Sequence, residues 1–185
     1  RELTVAVVGA TGVVGREMIG ILAGDRIRVG KLVPVASRRS AGRSVSFKGT
    51  DLPIVPLDDL DATPAWAKGV DLALFSAGAE VSRRFAPVMA AAGAVVIDNS
   101  SAFRMRDDVP LIVPEVNPQA LNRHAGIIAI PNCSTIVMLM ALKPLHDAAG
   151  LRRIVVSTYQ SVSGAGSRAM HQLWSEGAAL AKRWA

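Results

Sequence analysis

The chain has 185 residues, 50% of them hydrophobic, and a formal charge of +6 at neutral pH. That length supports one full core, or one core and part of a second, and no apolar run reaches membrane-spanning length before proline, glycine or a charge interrupts it. The basic residues are scattered, without a helix-long stripe or interleaved aromatics, so neither nucleic acid nor a membrane is an expected partner. Small phosphates fit the loop arginines Arg38 and Arg104 better. One cysteine excludes an intramolecular disulfide and suits a reducing cytoplasm. No signal peptide, internal repeat or low-complexity tract is evident, and aromatics at 4% leave the core to Val, Leu, Ile and Ala.

The first element is a short β-branched run, residues 3–8, with the character of a buried parallel strand. Gly9-Ala10-Thr11-Gly12-Val13-Val14-Gly15 follows at once, and then a helical pattern through Leu22. Glycines between a first strand and a first helix permit a tight turn, close approach of backbone to a pyrophosphate, and close packing of helix on strand. The spacing is Gly-x-x-Gly-x-x-Gly rather than the commoner Gly-x-Gly-x-x-Gly, and its placement carries the reading of a dinucleotide site. Residues 31–36 form the next expected strand, ending in Ser37-Arg38-Arg39-Ser40. An NAD-type site offers a carboxylate there for the ribose hydroxyls; a guanidinium and hydroxyls suit a 2′-phosphate instead, which favours NADP.

Residues 44–61 are less regular, with short antiparallel strands expected around Lys48-Gly49. Asp58, Asp59 and Asp61 read as a solvated acidic turn, and no metal site is expected. Strands and helices then alternate, predicting a doubly wound parallel sheet. A strand at 71–75 runs into Ser76-Ala77-Gly78, a helix spans 80–92, and a strand at 95–97 ends in the polar cluster Asp98-Asn99-Ser100-Ser101-Ala102-Phe103-Arg104. Strand ends of this kind are where such sheets bind ligands.

Cys133 lies in Pro131-Asn132-Cys133-Ser134-Thr135, between the apolar run 127–130 and an apolar segment from Ile136. The context predicts a strand, a tight turn and the first turn of a helix. A thiol at a helix N-terminus meets unpaired N–H groups and the positive dipole end, which favour thiolate. The helix at 136–145, with Met138 and Met140, is expected to be core, and Pro144 to kink or end it. Residues 153–160 read as a strand, followed by Ser161-Val162-Ser163-Gly164-Ala165-Gly166 and a helix from Ser167 to the last residue. The chain stops inside that helix without a C-cap, as a fragment does.

Taken in order, GATGVVG, SRRSAG, SAGAEVS, DNSSAFRM, PEVN, IPNCST and YQSVSGAG make the sequence resemble the aspartate-semialdehyde dehydrogenases along essentially its full length. Members of that family are longer, so the chain is expected to be an N-terminal portion. The resemblance implies a Rossmann-type NADP-binding domain over residues 1–130 and the beginning of an α+β catalytic and dimerisation domain over 131–185. It implies reversible conversion of L-aspartate-4-semialdehyde and phosphate to L-4-aspartyl phosphate. The biosynthetic direction is reductive, serving lysine, threonine, methionine and diaminopimelate synthesis, with a homodimer as the working assembly.

Roles carry over by position under that resemblance. Cys133 is the acyl-thioester nucleophile, which splits one hard acyl transfer into two steps. Arg104 and Asn132 contact phosphate, and Gln160 orients the substrate. Gly9, Thr11, Gly12, Val13, Val14, Ser37, Arg39, Ser40, Ser76, Gly78, Ser163 and Gly164 contact the cofactor. The family's general-base histidine and its substrate-carboxylate arginine match no segment here, and His124, His146 and His171 read as surface or dipole-paired residues. N-acetyl-glutamyl-phosphate reductase shares the chemistry but has a Gly-Cys-Tyr-type turn, and glyceraldehyde-3-phosphate dehydrogenase has a Ser-Cys-Thr-Thr turn. Outside the enzymes, a non-catalytic NADP-binding module remains the competing reading.

Overall fold

The computed structural model describes residues 1–24, 26–57 and 65–184, so the acidic turn expected at Asp58, Asp59 and Asp61 lies outside the described residues. Among the described residues, eight strands run in chain order: β1 Leu3–Val8, β2 Val29–Ser37, β3 Ser44–Phe47, β4 Thr50–Pro53, β5 Val55–Leu57, β6 Leu72–Phe75, β7 Val95–Asp98 and β8 Ile127–Ala129. The helices are α1 Val13–Leu22, α2 Ala79–Ala91, α3 Cys133–Ala149 and α4 Ser167–Trp184. Short 3-10 turns at Arg38–Ser40, Ala65–Ala67, Pro118–Arg123 and Val162–Ala165 join them.

Six strands make one sheet in the order β5-β2-β1-β6-β7-β8, every pairing parallel. The expected doubly wound sheet is therefore present. β1 explains why a continuous apolar run was needed: alternate side chains leave a strand on opposite faces. Val5 and Val7 pack with Ile19 and Leu22 of α1 and with Phe47 and Ile54. Ala6 and Val8 pack on the other face with Phe75, Val96 and the α2 residues Phe85, Ala86 and Met89. Strand order reverses between β1 and β6, which opens a crevice at the carboxyl ends of those two strands.

β3 and β4 form a separate antiparallel hairpin, as expected, with Phe47 opposite Thr50. Its two-residue turn is Lys48 (φ 48°) and Gly49 (φ 78°), both left-handed, the twist that matches flanking strands.

The C-terminal part departs from expectation in three respects. Residues 151–161 carry no strand, although 153–160 have a strand's composition. A strand exists through its ladder, and no β-ladder among the described residues includes this stretch; Val155 is 81% and Tyr159 100% exposed. Of the two outcomes expected at Pro144, a kink or an end, the end does not occur: α3 continues to Ala149 and closes on Gly150 in the left-handed conformation. Proline forfeits only its own bond to the carbonyl four residues back, and the rest of a 17-residue helix persists around it. Nor is α3 a core helix here, since none of its residues is buried. The chain divides into two compact units, residues 1–150 and 151–185. The second contains the Val162–Ala165 turn and α4, an amphipathic helix with no buried residue among those described.

Candidate functional site

The carboxyl ends of β1, β2, β6, β7 and β8 carry most of the residues singled out in the sequence. At β1, Gly9 has φ +98°, and a Cβ there would lie 2.5 Å from the carbonyl oxygen of Ser76. Only glycine lets the β1 turn and the β6 turn meet so closely. The backbone N–H groups of Gly9 and Ala10 both donate to the carbonyl of Val35 on β2, at 2.8 and 3.0 Å. Gly15 is buried against Gly9, the close helix-to-strand approach expected of a third glycine. Gly12 is the N-cap of α1 and has no side chain to satisfy the first N–H groups. Val13 and Val14, 47% and 39% exposed, leave the helix N-terminus flanked by apolar surface. Exposed N–H groups at a helix start are a ready anion site.

At the end of β2 and just beyond it, Ser37, Arg38 and Arg39 are exposed and Ser40 is buried. The Ser40 hydroxyl lies 3.2 Å from Thr11 Oγ1, so the basic turn is tied to the glycine turn. After β6, the Ser76 N–H donates to the carbonyl of Val8 at 2.8 Å, and Gly78 caps α2 with φ +93°. The turns after β1, β2 and β6 are thus bonded to one another at one end of the sheet, with a glycine cradle that any Cβ at position 9 would fill.

A second cluster sits at the ends of β7 and β8. Arg104 Nε donates to the carbonyl of Ile130 at 2.9 Å, and a terminal guanidinium nitrogen donates to the carbonyl of Asn99 at 3.1 Å. Asn132 is the N-cap of α3: its Oδ1 accepts from the Ser134 N–H at 3.0 Å and from the Ser134 hydroxyl at 2.8 Å. Cys133, the first residue of α3, is exposed, with its thiol 3.8 Å from the same oxygen. Farther along the β7 loop, Arg106 and Asp108 form an exposed two-bond pair at 2.8 and 2.5 Å. The Arg106 hydrogen bond, and then its charge, hold the Asp108 carboxyl below its ordinary range and raise the guanidinium in turn. No group of three or more metal-ligating side chains occurs among the described residues.

Gln160, Ser163 and Gly164 belong to the second unit, where Gln160 is exposed. Ser161 caps the Val162–Ala165 turn: its hydroxyl accepts from the Ser163 N–H at 3.3 Å and lies 2.8 Å from the Ser163 hydroxyl. The Gly164 N–H donates to the Ser161 carbonyl at 3.2 Å.

One member of the β7 cluster escaped the sequence reading. Ser82 of α2 is fully buried and donates to Asp98 Oδ1 at 2.6 Å. The signal was available: positions 82, 85, 86 and 89 form one helical stripe, and a serine among Phe85, Ala86 and Met89 must be bonded inward.

Residues 4–124 match the family described as semialdehyde dehydrogenase, NAD binding domain. The chain belongs to the semialdehyde dehydrogenase family. Residues 142–184 match the semialdehyde dehydrogenase dimerisation domain. Aspartate-semialdehyde dehydrogenase of Bacillus subtilis is 50% identical over 180 residues, covering 97% of this chain and 51% of that protein. The crystal structure of aspartate semialdehyde dehydrogenase II from Vibrio cholerae is 47% identical and superposes with a TM-score of 0.86, covering 98% of this chain and 53% of that one. The same Vibrio enzyme complexed with ASA is 49% identical, with a TM-score of 0.80, over 90% of this chain and 53% of that one. The resemblance read from the motifs thus holds along the chain, which spans about half the length of the curated relatives it matches. The sheet is the family's NAD-binding domain, and no helix among the described residues is long and apolar enough to cross a membrane.

Proposed function

We propose that the protein, at its full length, is a cytoplasmic, homodimeric, NADP-dependent aspartate-semialdehyde dehydrogenase. It reduces L-4-aspartyl phosphate to L-aspartate-4-semialdehyde on the route to lysine, threonine, methionine and diaminopimelate. In this reading the dinucleotide domain is residues 1–130, and the catalytic and dimerisation domain begins at Pro131. One observation carries it: Arg104 bonds the carbonyl of Ile130, three residues before the exposed thiol of Cys133 at the start of α3. A guanidinium suited to phosphate and a nucleophile suited to an acyl carbon then share one sheet end.

The chemistry follows from those groups. Cys133 thiolate adds to the acyl carbon, the bond from that carbon to the phosphate oxygen breaks, and phosphate leaves. Arg104, with Asn132, holds the departing anion. When bound, the nicotinamide supplies a hydride to the acyl carbon. The oxyanion formed on the thioester carbon collapses, the carbon–sulfur bond breaks, the aldehyde leaves, and thiolate returns on Cys133. Gln160 orients the substrate through its amide. None of His124, His146 and His171 is assigned the general base; His124 Nδ1 already accepts from the Gly126 N–H at 3.1 Å.

The cofactor residues fit a dinucleotide on the ground of the Gly9 cradle and the exposed start of α1. Gly9, Thr11, Gly12, Val13 and Val14 would hold the pyrophosphate, and Ser76 and Gly78 would border it, with Ser163 and Gly164 as further contacts. Ser37, Arg39 and Ser40, with no carboxylate among them, favour a 2′-phosphate and therefore NADP over NAD.

The test is NADP reduction by L-aspartate-4-semialdehyde, which must require inorganic phosphate. Cys133→Ser is expected to lower kcat about a thousandfold or more, and only the parent protein should show a thioester mass with acyl substrate. Turnover retained in Cys133→Ser, or turnover indifferent to phosphate, would overturn the reading.

A further inference from the structure

Asp98 is the last residue of β7 and is fully buried. A buried carboxylate is costly unless its oxygens are bonded. Here Oδ1 accepts from the Ser82 hydroxyl at 2.6 Å and the Ser100 N–H at 3.1 Å, and Oδ2 accepts from the Ser100 hydroxyl at 2.7 Å. An apolar residue at this position would have filled the same space between α2 and the sheet. The carboxylate instead gives a direction to everything that follows it.

The Ser100 hydroxyl donates its single proton to Asp98, so it meets the Ala102 N–H as an acceptor, at 3.0 Å. That shapes the turn over residues 99–102. Phe103 then enters the core at 2% exposure, which pins the chain immediately before Arg104. Arg104 turns back over the same turn, bonding the carbonyl of Asn99 and that of Ile130. The Asp98 backbone joins in, since its carbonyl accepts from the Ile130 N–H at 3.1 Å. Carboxylate, turn, guanidinium and the approach to Cys133 form one closed loop of bonds.

We infer that Asp98 is a positioning residue: through Ser100 it sets the Arg104 guanidinium at the place where the leaving phosphate is received. The inference rests on the phosphate role assigned to Arg104 above. Asp98 itself is fully buried and offers a ligand no surface. Asp98→Asn keeps the shape and one accepting oxygen but presents an N–H pair in place of the other. The Ser100 hydroxyl then has no acceptor at Oδ2 unless it turns, and turning removes the acceptor of the Ala102 N–H.

The experiment uses the protein at its full natural length and reads phosphate binding without turnover. Cys133 is alkylated with iodoacetamide while inorganic phosphate is titrated, and the phosphate concentration that halves the rate is compared. Asp98→Asn and Ser100→Ala are each expected to raise that concentration about tenfold, and Ser100→Thr, which keeps the hydroxyl, to restore it. In the assay above, KM for phosphate should rise by the same factor, with kcat and KM for NADP within about twofold. Ile19→Val, which loosens the opposite face of the sheet, controls for lost stability and should leave phosphate protection unchanged. Equal protection in parent, Asp98→Asn and Ser100→Ala overturns the inference, as does the absence of protection in the parent. Normal protection without dehydrogenase turnover would instead overturn the proposed reaction and leave the role of Asp98 standing. If Asp98→Asn fails to fold, Ser100→Ala against Ser100→Thr decides alone.

Discussion

In the sheet, β1 sends Val5 and Val7 to one face and Ala6 and Val8 to the other, and all four are fully buried. α3 also carries a run of Ile, Val, Leu and Met, from Ile136 to Leu142, yet buries none of its residues, and neither does α4 among those described. Apolar composition is common to the β1 and α3 regions, so it does not decide burial. What differs is company: β1 pairs with β2 and β6, and α1 and α2 cover the two sheet faces, all within residues 1–98. The periodicity of a segment states which face it offers, and only another element can accept the offer.

Stability measurements should expose this contrast most strongly in the core. Phe75→Ala removes a fully buried ring from the α2 face of the sheet and is expected to cost about 3–5 kcal/mol in urea unfolding. Val155→Ala, at a residue 81% exposed, should stay within about 0.5 kcal/mol. Comparable losses at the two positions would mean that residues 151–161 are packed in solution and would dissolve the contrast.

The same comparison can be sharpened within the crevice, with two glycines that share a left-handed backbone. Gly9→Ala places a methyl against the backbone oxygen of Ser76, which cannot yield without separating the β1 and β6 turns. Gly78→Ala meets no atom within 4 Å and carries only the conformational strain of φ +93°. Losses of about 2–4 kcal/mol for the first and about 1 kcal/mol for the second are expected from melting curves. NADP affinity should fall with Gly9→Ala well beyond its fall with Gly78→Ala. An equal effect of the two on affinity would deny that close approach of the turns builds the site.

These differences also explain what could be read from residues alone. β1, the Gly9–Gly15 turn, β6, β7 and the start of α3 at Cys133 follow from local pattern, because their partners impose the period that their own side chains show. The β3–β4 hairpin was legible from Lys48-Gly49, whose backbone requirement is local. Residues 153–160 have the same β-branched character without a ladder, and pattern cannot report a missing neighbour. The passage of α3 through Pro144 was hidden for a related reason: propensity gives the cost of the proline but not the strength of the helix around it. In the site, the positions of Arg104, Asn132 and Cys133 at strand ends were visible from order and spacing. The path by which Asp98 and Ser82 brace that end was not, since it joins α2 to β7 through side-chain bonds that no period encodes.

The smallest expected effect lies in the loop that leaves this braced turn. Asp98 and Asp108 stand ten positions apart in the β7 strand and loop, one fully buried among hydroxyls, the other paired to Arg106 at the surface. The Arg106 hydrogen bond lowers the Asp108 carboxyl in the folded state relative to the unfolded chain. A carboxyl depressed by folding contributes above its unfolded pKa, and the contribution is lost as pH falls through the folded value. Asp108→Asn should therefore trail the parent slightly in Tm at neutral pH and match it in strong acid, a direction opposite to that of a pair stabilised by a raised histidine or lysine. Both side chains are largely in water, so raising the ionic strength should erase even the neutral-pH difference. A gap in Tm that survives high salt, or one that widens as the solution is acidified, would show that Asp108 is held by more than Arg106. It would then belong with the buried, load-sharing carboxylate at Asp98 rather than with the solvated surface.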